Sequence, residues 1–144
     1  MSIVQSMTTS FKVGLLDGDF DFSSNTAQTF KIALFTSSAS LSAATTVYSA
    51  TGEASGTAYT AGGETLTIST VPTSSGTTAY LSFSNVTWSA SSITARGALI
   101  YKADGATDPS VAVIDFGEDR TTSAQNFVIS FPTASASEAI VRVA

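Results

Sequence analysis

Short runs rich in β-branched and aromatic residues recur along the whole chain, and stretches of Ser, Thr, Ala and Gly separate them. No window sustains apolar residues at the i, i+3, i+4 and i+7 positions that an amphipathic helix needs. Val, Ile, Phe, Tyr and Thr favour strands because their side chains pack well on a pleated surface. The pattern therefore predicts an all-β fold that is almost free of helix.

Roughly eight to ten strands follow from these runs, and turn residues mark where several of them end. Residues 11–16 and 19–22 flank Asp17-Gly18, and an Asp-Gly pair between two apolar runs predicts a β-hairpin. Pro72 and the turn that follows it are expected to end the strand that begins at Glu64. The other predicted strands cover residues 29–36, 78–83, 86–88, 93–101, 111–116, 126–131 and 139–143.

A chain of 144 residues suits one domain, which buries about 68–70% of the surface of its unfolded chain. Strands at this spacing predict an antiparallel β-sandwich or a jelly roll. We assign residues 11–144 to this domain and residues 1–10 to a flexible N-terminal arm, which has too little apolar periodicity to need the core. The expected core is formed by Phe30, Ile32, Leu34, Leu81, Phe83, Leu99, Ile114, Phe116, Phe127 and Ile129.

The chain contains no histidine and no cysteine, and charged residues make up 12% of it. A serine nucleophile normally needs a base such as histidine, and transition-metal sites mostly use histidine or cysteine ligands. The Gly-rich stretch 60–63 lacks the lysine and the spacing of a phosphate-binding loop. We therefore expect no enzymatic activity, no catalytic residue and no cofactor.

Three alternating aspartates, Asp17, Asp19 and Asp21, form a candidate calcium site, because hard cations take carboxylate oxygens. The EF-hand pattern fails, since Phe22 stands where that pattern needs glycine and Gln28 stands where it needs glutamate. Solvated aspartates around a turn are the favoured interpretation, and no metal site is predicted.

A second group of charges, Asp115, Glu118, Asp119 and Arg120, lies at the end of the strand predicted at 111–116. Two close carboxylates can perform acid–base hydrolysis when their pKa values are pushed apart. The sequence marks no substrate groove beside them. A charged cluster at a turn is therefore favoured over a catalytic pair.

The formal net charge is −5 and the pI is near 4.3, which opposes nucleic-acid binding because that binding needs clustered Lys and Arg. The mean hydropathy is +0.26, yet no apolar run approaches the ~20 residues of a membrane helix. Residues 1–7 have neither a basic leader nor a continuous apolar stretch, so no secretory signal is expected. We expect contact with neither nucleic acid nor a membrane.

Large aromatic side chains admit two interpretations, since they can form a sugar-binding platform or fill the core of a sandwich. The core is favoured for Trp88 and Tyr101. Tyr48 and Tyr59 lie in a tract of Ser, Ala, Thr and Gly at residues 37–63, and long ordered loops tend to be interaction elements. Those two tyrosines are therefore predicted to lie at an interface. The residues considered for the platform are Trp88, Tyr101, Tyr48, Tyr59 and Tyr80.

Three further residues complete the predicted interface. Ile3 and Val4 are the apolar residues of the N-terminal arm. Arg96 is the sole charge in the run 93–101, so it needs either a carboxylate partner or a protein contact, since an unpaired buried guanidinium is too costly. Pairing within the chain is slightly favoured for Arg96.

The run from Trp88 to Tyr101, continued by residues 111–117, resembles a family of small structural proteins of tailed bacteriophages. Other segments agree with that family in the same order. The likeness covers most of the chain from Phe11 to Val143. The agreeing segments are residues 31–35, 59–66, 131–132 and 139–142.

Within that family the chain is most similar to capsid cement, or decoration, proteins. The resemblance implies a non-enzymatic virion protein that binds the capsid surface and reinforces it. Its implied partners are the major capsid protein and further copies of itself, as a homodimer or homotrimer. A neck, tail or fibre component of the virion is the alternative, and a carbohydrate-binding module that uses the tyrosines is a third.

Overall fold

The computed structural model describes residues 2–144 and contains 48% strand and 6% helix. Antiparallel sheets pack together, so the predicted all-β sandwich is confirmed. Its elements are β1 (Ser6–Met7), α1 (Thr9–Asp17), β2 (Phe30–Phe35), β3 (Gly56–Thr57), β4 (Glu64–Thr65), β5 (Ile68–Ser75), β6 (Thr78–Phe83), β7 (Val86–Lys102), β8 (Ser110–Thr121), β9 (Gln125–Ile129) and β10 (Val141–Val143).

Strand β7 organises the larger sheet, whose order is β1-β8-β7-β2-β4, with β3 and β9 also paired to β7. The last part of β7 lies between β2 and β8, while its first part pairs with β9. Two separate strands were predicted here, at 86–88 and 93–101. The structure joins them through a register shift between Trp88 and Ser91, where Ala90 has a positive φ of 50°.

The smaller sheet has the order β10-β6-β5 and packs its apolar face against the larger one. Their shared core contains Ile32 from β2, Phe83 from β6 and Trp88 from β7. Of the ten predicted core residues, eight are buried, and Ile114 and Phe116 are partly buried at the edge of the core. The strand phases assigned from the sequence are therefore largely correct.

Helix α1 replaces the hairpin predicted around Asp17-Gly18, and that prediction was wrong. The Thr8 side chain caps the helix by accepting a hydrogen bond from the Phe11 amide. Gly18 ends it in the left-handed conformation with φ 79°, and its amide donates to the Gly14 and Leu15 carbonyls. A glycine that suits a hairpin turn suits a helix C-terminus equally well. Burial of Phe11 fixes the helix to the core.

The single strand predicted from Glu64 to Pro72 is divided into β4, which pairs with β2, and β5, which belongs to the smaller sheet and continues past Pro72 to Ser75. β5 is an edge strand of its sheet, and an edge position tolerates proline because an outward-facing N–H is not needed for pairing. A register shift between Thr70 and Thr73 accommodates the ring. The turn to β6 falls instead at Gly76, which has φ 60°.

The N-terminal segment packs on the domain and does not form the free arm that was expected. Ser6 and Met7 pair with β8, and Ile3 is buried in a small cluster of apolar side chains. Gly97 makes room for it, because a Cβ there would stand 2.9 Å from the Ile3 side chain. The expectation that this segment needs none of the core is therefore wrong for Ile3.

Candidate functional site

The tract at residues 37–63 is the longest stretch with little regular structure, and hydrogen bonds hold it against the sheet. Backbone bonds join Leu41 to Val4, and Tyr48 to Asp108. The tract also supplies Leu41 and Ala54 to the core. Its low apolar periodicity predicts a tract that does not need the core, and burial of these residues shows that prediction to be wrong.

A single carboxylate organises the tract. The Tyr48 hydroxyl donates to Glu53 Oε2 at 2.6 Å. The Tyr59 hydroxyl donates to Oε1 at 2.6 Å, and the Gly62 amide donates to the same oxygen at 2.7 Å. Hydrogen bonds to an ionised acceptor are about twice as strong as neutral ones. With Tyr101, these residues form what we call the Tyr–Glu cluster.

Two further bonds connect the Tyr–Glu cluster to the sheet. The Leu34 amide of β2 donates to the Tyr59 hydroxyl at 2.9 Å. The Tyr101 hydroxyl of β7 donates to the Gly62 carbonyl at 2.7 Å. The rings of Tyr48 and Tyr101 are stacked, with centroids 4.6 Å apart. The loop is thus fastened to two neighbouring strands.

The electrostatics of the cluster keep its phenols protonated. Burial raises the pKa of Tyr101 to about 12. Burial, followed by the hydrogen bond to Glu53, raises the pKa of Tyr48 and of Tyr59 above the usual value. A phenol that acts as a general base or nucleophile needs a pKa shifted towards neutrality. The cluster is therefore suited to holding a loop in place and not to proton transfer.

The five predicted interface residues lie in different environments. Tyr48 and Tyr59 are half-buried and bonded inwards to Glu53. Ile3 is buried, whereas the neighbouring Val4 is exposed. The structure does not gather these residues into one surface, and Val4 offers the most open apolar side chain among them.

Arg96 lies between two carboxylates on the surface. Its Nε stands 3.8 Å from Asp115 Oδ1, and its Nη1 stands 3.8 Å from Asp119 Oδ1. Asp115 also accepts a hydrogen bond from the Gly117 amide at 2.8 Å, where the register between β8 and β7 shifts. Exposed ion pairs of this kind contribute little to stability. The sequence placed this charged cluster at a turn after the strand, but β8 continues to Thr121, so the charges lie on an irregular part of the strand itself.

The aspartates at the end of α1 act locally. A hydrogen bond from the Ser23 side chain, together with one from the Ser23 amide at 2.9 Å, lowers the pKa of Asp21. Within residues 2–144, no three acidic side chains are grouped in a way that could hold a metal ion. Asp104 caps another turn by accepting from three backbone amides, and these bonds lower its pKa to about 2.

The aromatic residues divide as predicted between core and loop. Trp88 is 2% exposed and Tyr101 is 3% exposed. The indole N–H of Trp88 finds no hydrogen-bond partner among residues 2–144. Tyr48, Tyr59 and Tyr80 are half-buried, so the flat exposed rings of a sugar-binding platform are not presented by these five side chains.

Sequence reasoning missed Glu53, the residue that holds the cluster together. A signal was present, since Glu53 is the sole charged residue of the 37–63 tract and stands between its two tyrosines. A lone acid in a neutral loop needs donors if it is half-buried. The two phenols, five and six residues away along the chain, supply two of those donors.

Two open grooves with mainly apolar linings are further candidate sites. The first, of about 610 Å³, lies along β9 and is lined by Phe116, Phe127, Phe131 and Ile140 among others. We call it the β9 groove. The second, of about 330 Å³, lies between α1 and the smaller sheet.

Comparison of the chain with protein-family models, with curated proteins and with solved structures gives no match. Among residues 2–144, no helix has both the length and the apolarity required to cross a membrane.

Proposed function

We propose that this chain is a virion structural protein of a tailed bacteriophage, and that it binds and stabilises the capsid shell as a cement protein. The observation that carries the proposal is the ordered likeness to phage structural proteins along the chain. The segments that bear it include most of β2, β7 and β8, the framework strands of the domain. The predicted partners are the major capsid protein and further copies of this chain.

The surface chemistry fits a protein that makes contacts and performs no reaction. Between Ile32 and Ala95 only Glu53 and Glu64 carry a charge. Much of the surface in this half consists of Ser, Thr, Ala and Gly, which can approach another protein without desolvating charges. Desolvated charges without partners oppose association, so a neutral surface favours it.

The Tyr–Glu cluster supports the proposal in a second way. A loop that is already ordered loses little conformational entropy when it binds, and pre-organisation of this kind strengthens binding. Fastening residues 37–63 through Glu53 leaves the tract's outward Ser and Thr side chains in fixed positions. On a shell, repeated copies make each later contact effectively intramolecular, so modest individual contacts add up.

The test uses particles prepared with and without this protein. Particles that lack it should assemble but break at a lower temperature, and adding the purified chain should restore their resistance. A ligand that binds only the assembled state stabilises that state. The chain should also approach the capsid protein in copy number. Equal robustness of depleted particles, or a few copies at one vertex, would instead support the neck, tail or fibre alternative.

A further inference from the structure

The hairpin formed by β5 and β6 projects from the body of the protein. Residues 71–77 are exposed, and so is Ala79. Successive side chains of a strand point to opposite faces of the sheet, so exposure of consecutive residues leaves both faces of this hairpin uncovered. Val71, at its outer edge, is 51% exposed.

The second groove lies at the base of this hairpin, and we call it the hairpin groove. Leu15 and Phe20 line it on the helix side, and Pro72, Ala79 and Val143 line it on the sheet side. Asp21 is the only charged residue among those that line it. The groove is therefore apolar, has a volume of about 330 Å³ and is open to solvent.

Apolar exposure continues next to the groove. Val143, which pairs with Ala79 across the sheet, is 50% exposed. Leu16, next to Leu15 on α1, is 91% exposed. Apolar side chains grouped with a groove mark a contact surface more strongly than scattered ones do.

The charge distribution indicates which partner fits. Each copy of the chain carries a formal net charge of −5, so two copies repel wherever charged surfaces meet within the Debye length of about 8 Å. No charged residue occurs from Thr65 to Ala95, a stretch that includes the whole hairpin. A second copy can therefore approach the hairpin without meeting a charge on it, and Asp21 is the carboxylate that lines the groove beside it.

The edge of the hairpin is also open to pairing. β5 is an edge strand, and natural edge strands are usually protected by lysines, bulges or proline. Here Pro72 and the bulge beside it protect one part of β5, while residues 73–75 carry neither a charge nor a proline. This portion of the edge can accept a strand from another chain.

We propose that the β5–β6 hairpin and the hairpin groove form the contact between copies of this chain. The inference deepens the proposed function, which calls for a homo-oligomer, and assigns the surface through which that oligomer forms. Apolar side chains of one copy cover the groove of the next, and the neutral hairpin edges lie together.

The test compares two valines of equal exposure on different surfaces. Val143 lines the hairpin groove and Val128 lines the β9 groove, and each is 50% exposed. The variants Val143→Glu and Val128→Glu add the same charge to the whole molecule. Sedimentation velocity over a concentration series measures self-association, and thermal melts followed by circular dichroism check folding. Val71→Glu tests the hairpin itself.

We expect the unaltered chain and Val128→Glu to associate alike. Val143→Glu and Val71→Glu should raise the dissociation constant by at least about tenfold, since a charge buried at an apolar contact is strongly disfavoured. A monomeric unaltered chain would overturn the proposal, as would disruption by Val128→Glu alone. A chain that is monomeric but still protects particles refutes this contact and supports the cement proposal. An oligomer that dissociates as predicted but protects no particles supports this contact and refutes the cement proposal.

Discussion

Removing the Glu53 side chain is the sharpest test of what holds the long loop in place. Glu53→Ala deletes the acceptor of three hydrogen bonds, from Tyr48, Tyr59 and Gly62. Each bond is taken at about 1 kcal/mol, which is below the ~1.5–3 kcal/mol of bonds to charged groups, because the half-exposed phenols regain water. The free energy of unfolding should fall by about 3 kcal/mol, and the melting temperature by about 10 °C.

Denaturant titration and thermal melting of the purified chain measure the change. Glu64→Ala is the matched control, since Glu64 is the other charged residue between Ile32 and Ala95 and is exposed. It should alter stability by less than about 0.5 kcal/mol. Glu53→Gln keeps the shape but loses the charge, so it should cost about half as much as the alanine variant. If Glu53→Ala and Glu64→Ala behaved alike, the reasoning about the Tyr–Glu cluster would be refuted.

The other predictions concern pH, core packing and backbone space. The phenols of the cluster have pKa values above the unfolded value of about 10. The stability that they contribute is therefore complete below about pH 10 and is lost as the pH rises towards about 12, the pKa of Tyr101. Urea unfolding across this pH range should show the decline, and a flat profile would contradict it. Phe127→Ala should cost about 3–5 kcal/mol, while the half-buried Phe116 should cost less when truncated; equal losses in denaturant titrations would contradict the burial that separates them. Gly63→Ala should destabilise the protein far more than Gly105→Ala. Both glycines have positive φ, but only at Gly63 would a Cβ lie 1.8 Å from a β2 carbonyl oxygen, that of Ile32. Similar melting temperatures for the two variants would be inconsistent with that crowding.

Strands marked by short apolar runs were predicted correctly, whereas elements that depend on long-range pairing or on a helix cap were not. Ile32 and Phe83 were assigned correctly because they lie in short runs of apolar residues, at least partly alternating, that turn residues bound on both sides. The 86–102 strand was divided because its middle residues are small and polar. The strand continues past Ala90 because β9 and β3 pair with the residues around it. No local sequence signal indicates such long-range pairing.

The helix and the candidate site show a different limit. The Asp17-Gly18 pair is compatible with two backbone conformations, and the cap at Thr8 together with the burial of Phe11 decides between them. The role of Glu53 depends on bringing Tyr48, Tyr59 and β2 into contact. The sequence contains the chemical partners, but only the folded loop brings their atoms within 2.6 Å.

The pairing pattern of β7 has a consequence for the order in which the protein folds. Its partners are distant in sequence on one side, since Phe30 pairs with Lys102, and β1 closes a longer loop still, with Ser6 opposite Val113. Such high contact order slows folding, because the entropy of closing each loop is lost before its contacts form. During synthesis, when chains emerge at about 5–20 residues per second, β2 and the N-terminal segment must remain unpaired for several seconds. The first two-thirds of the chain therefore cannot complete its sheet until β7 and β8 have left the ribosome, and a nascent chain halted before Gly97 would leave β2 without its β7 partner.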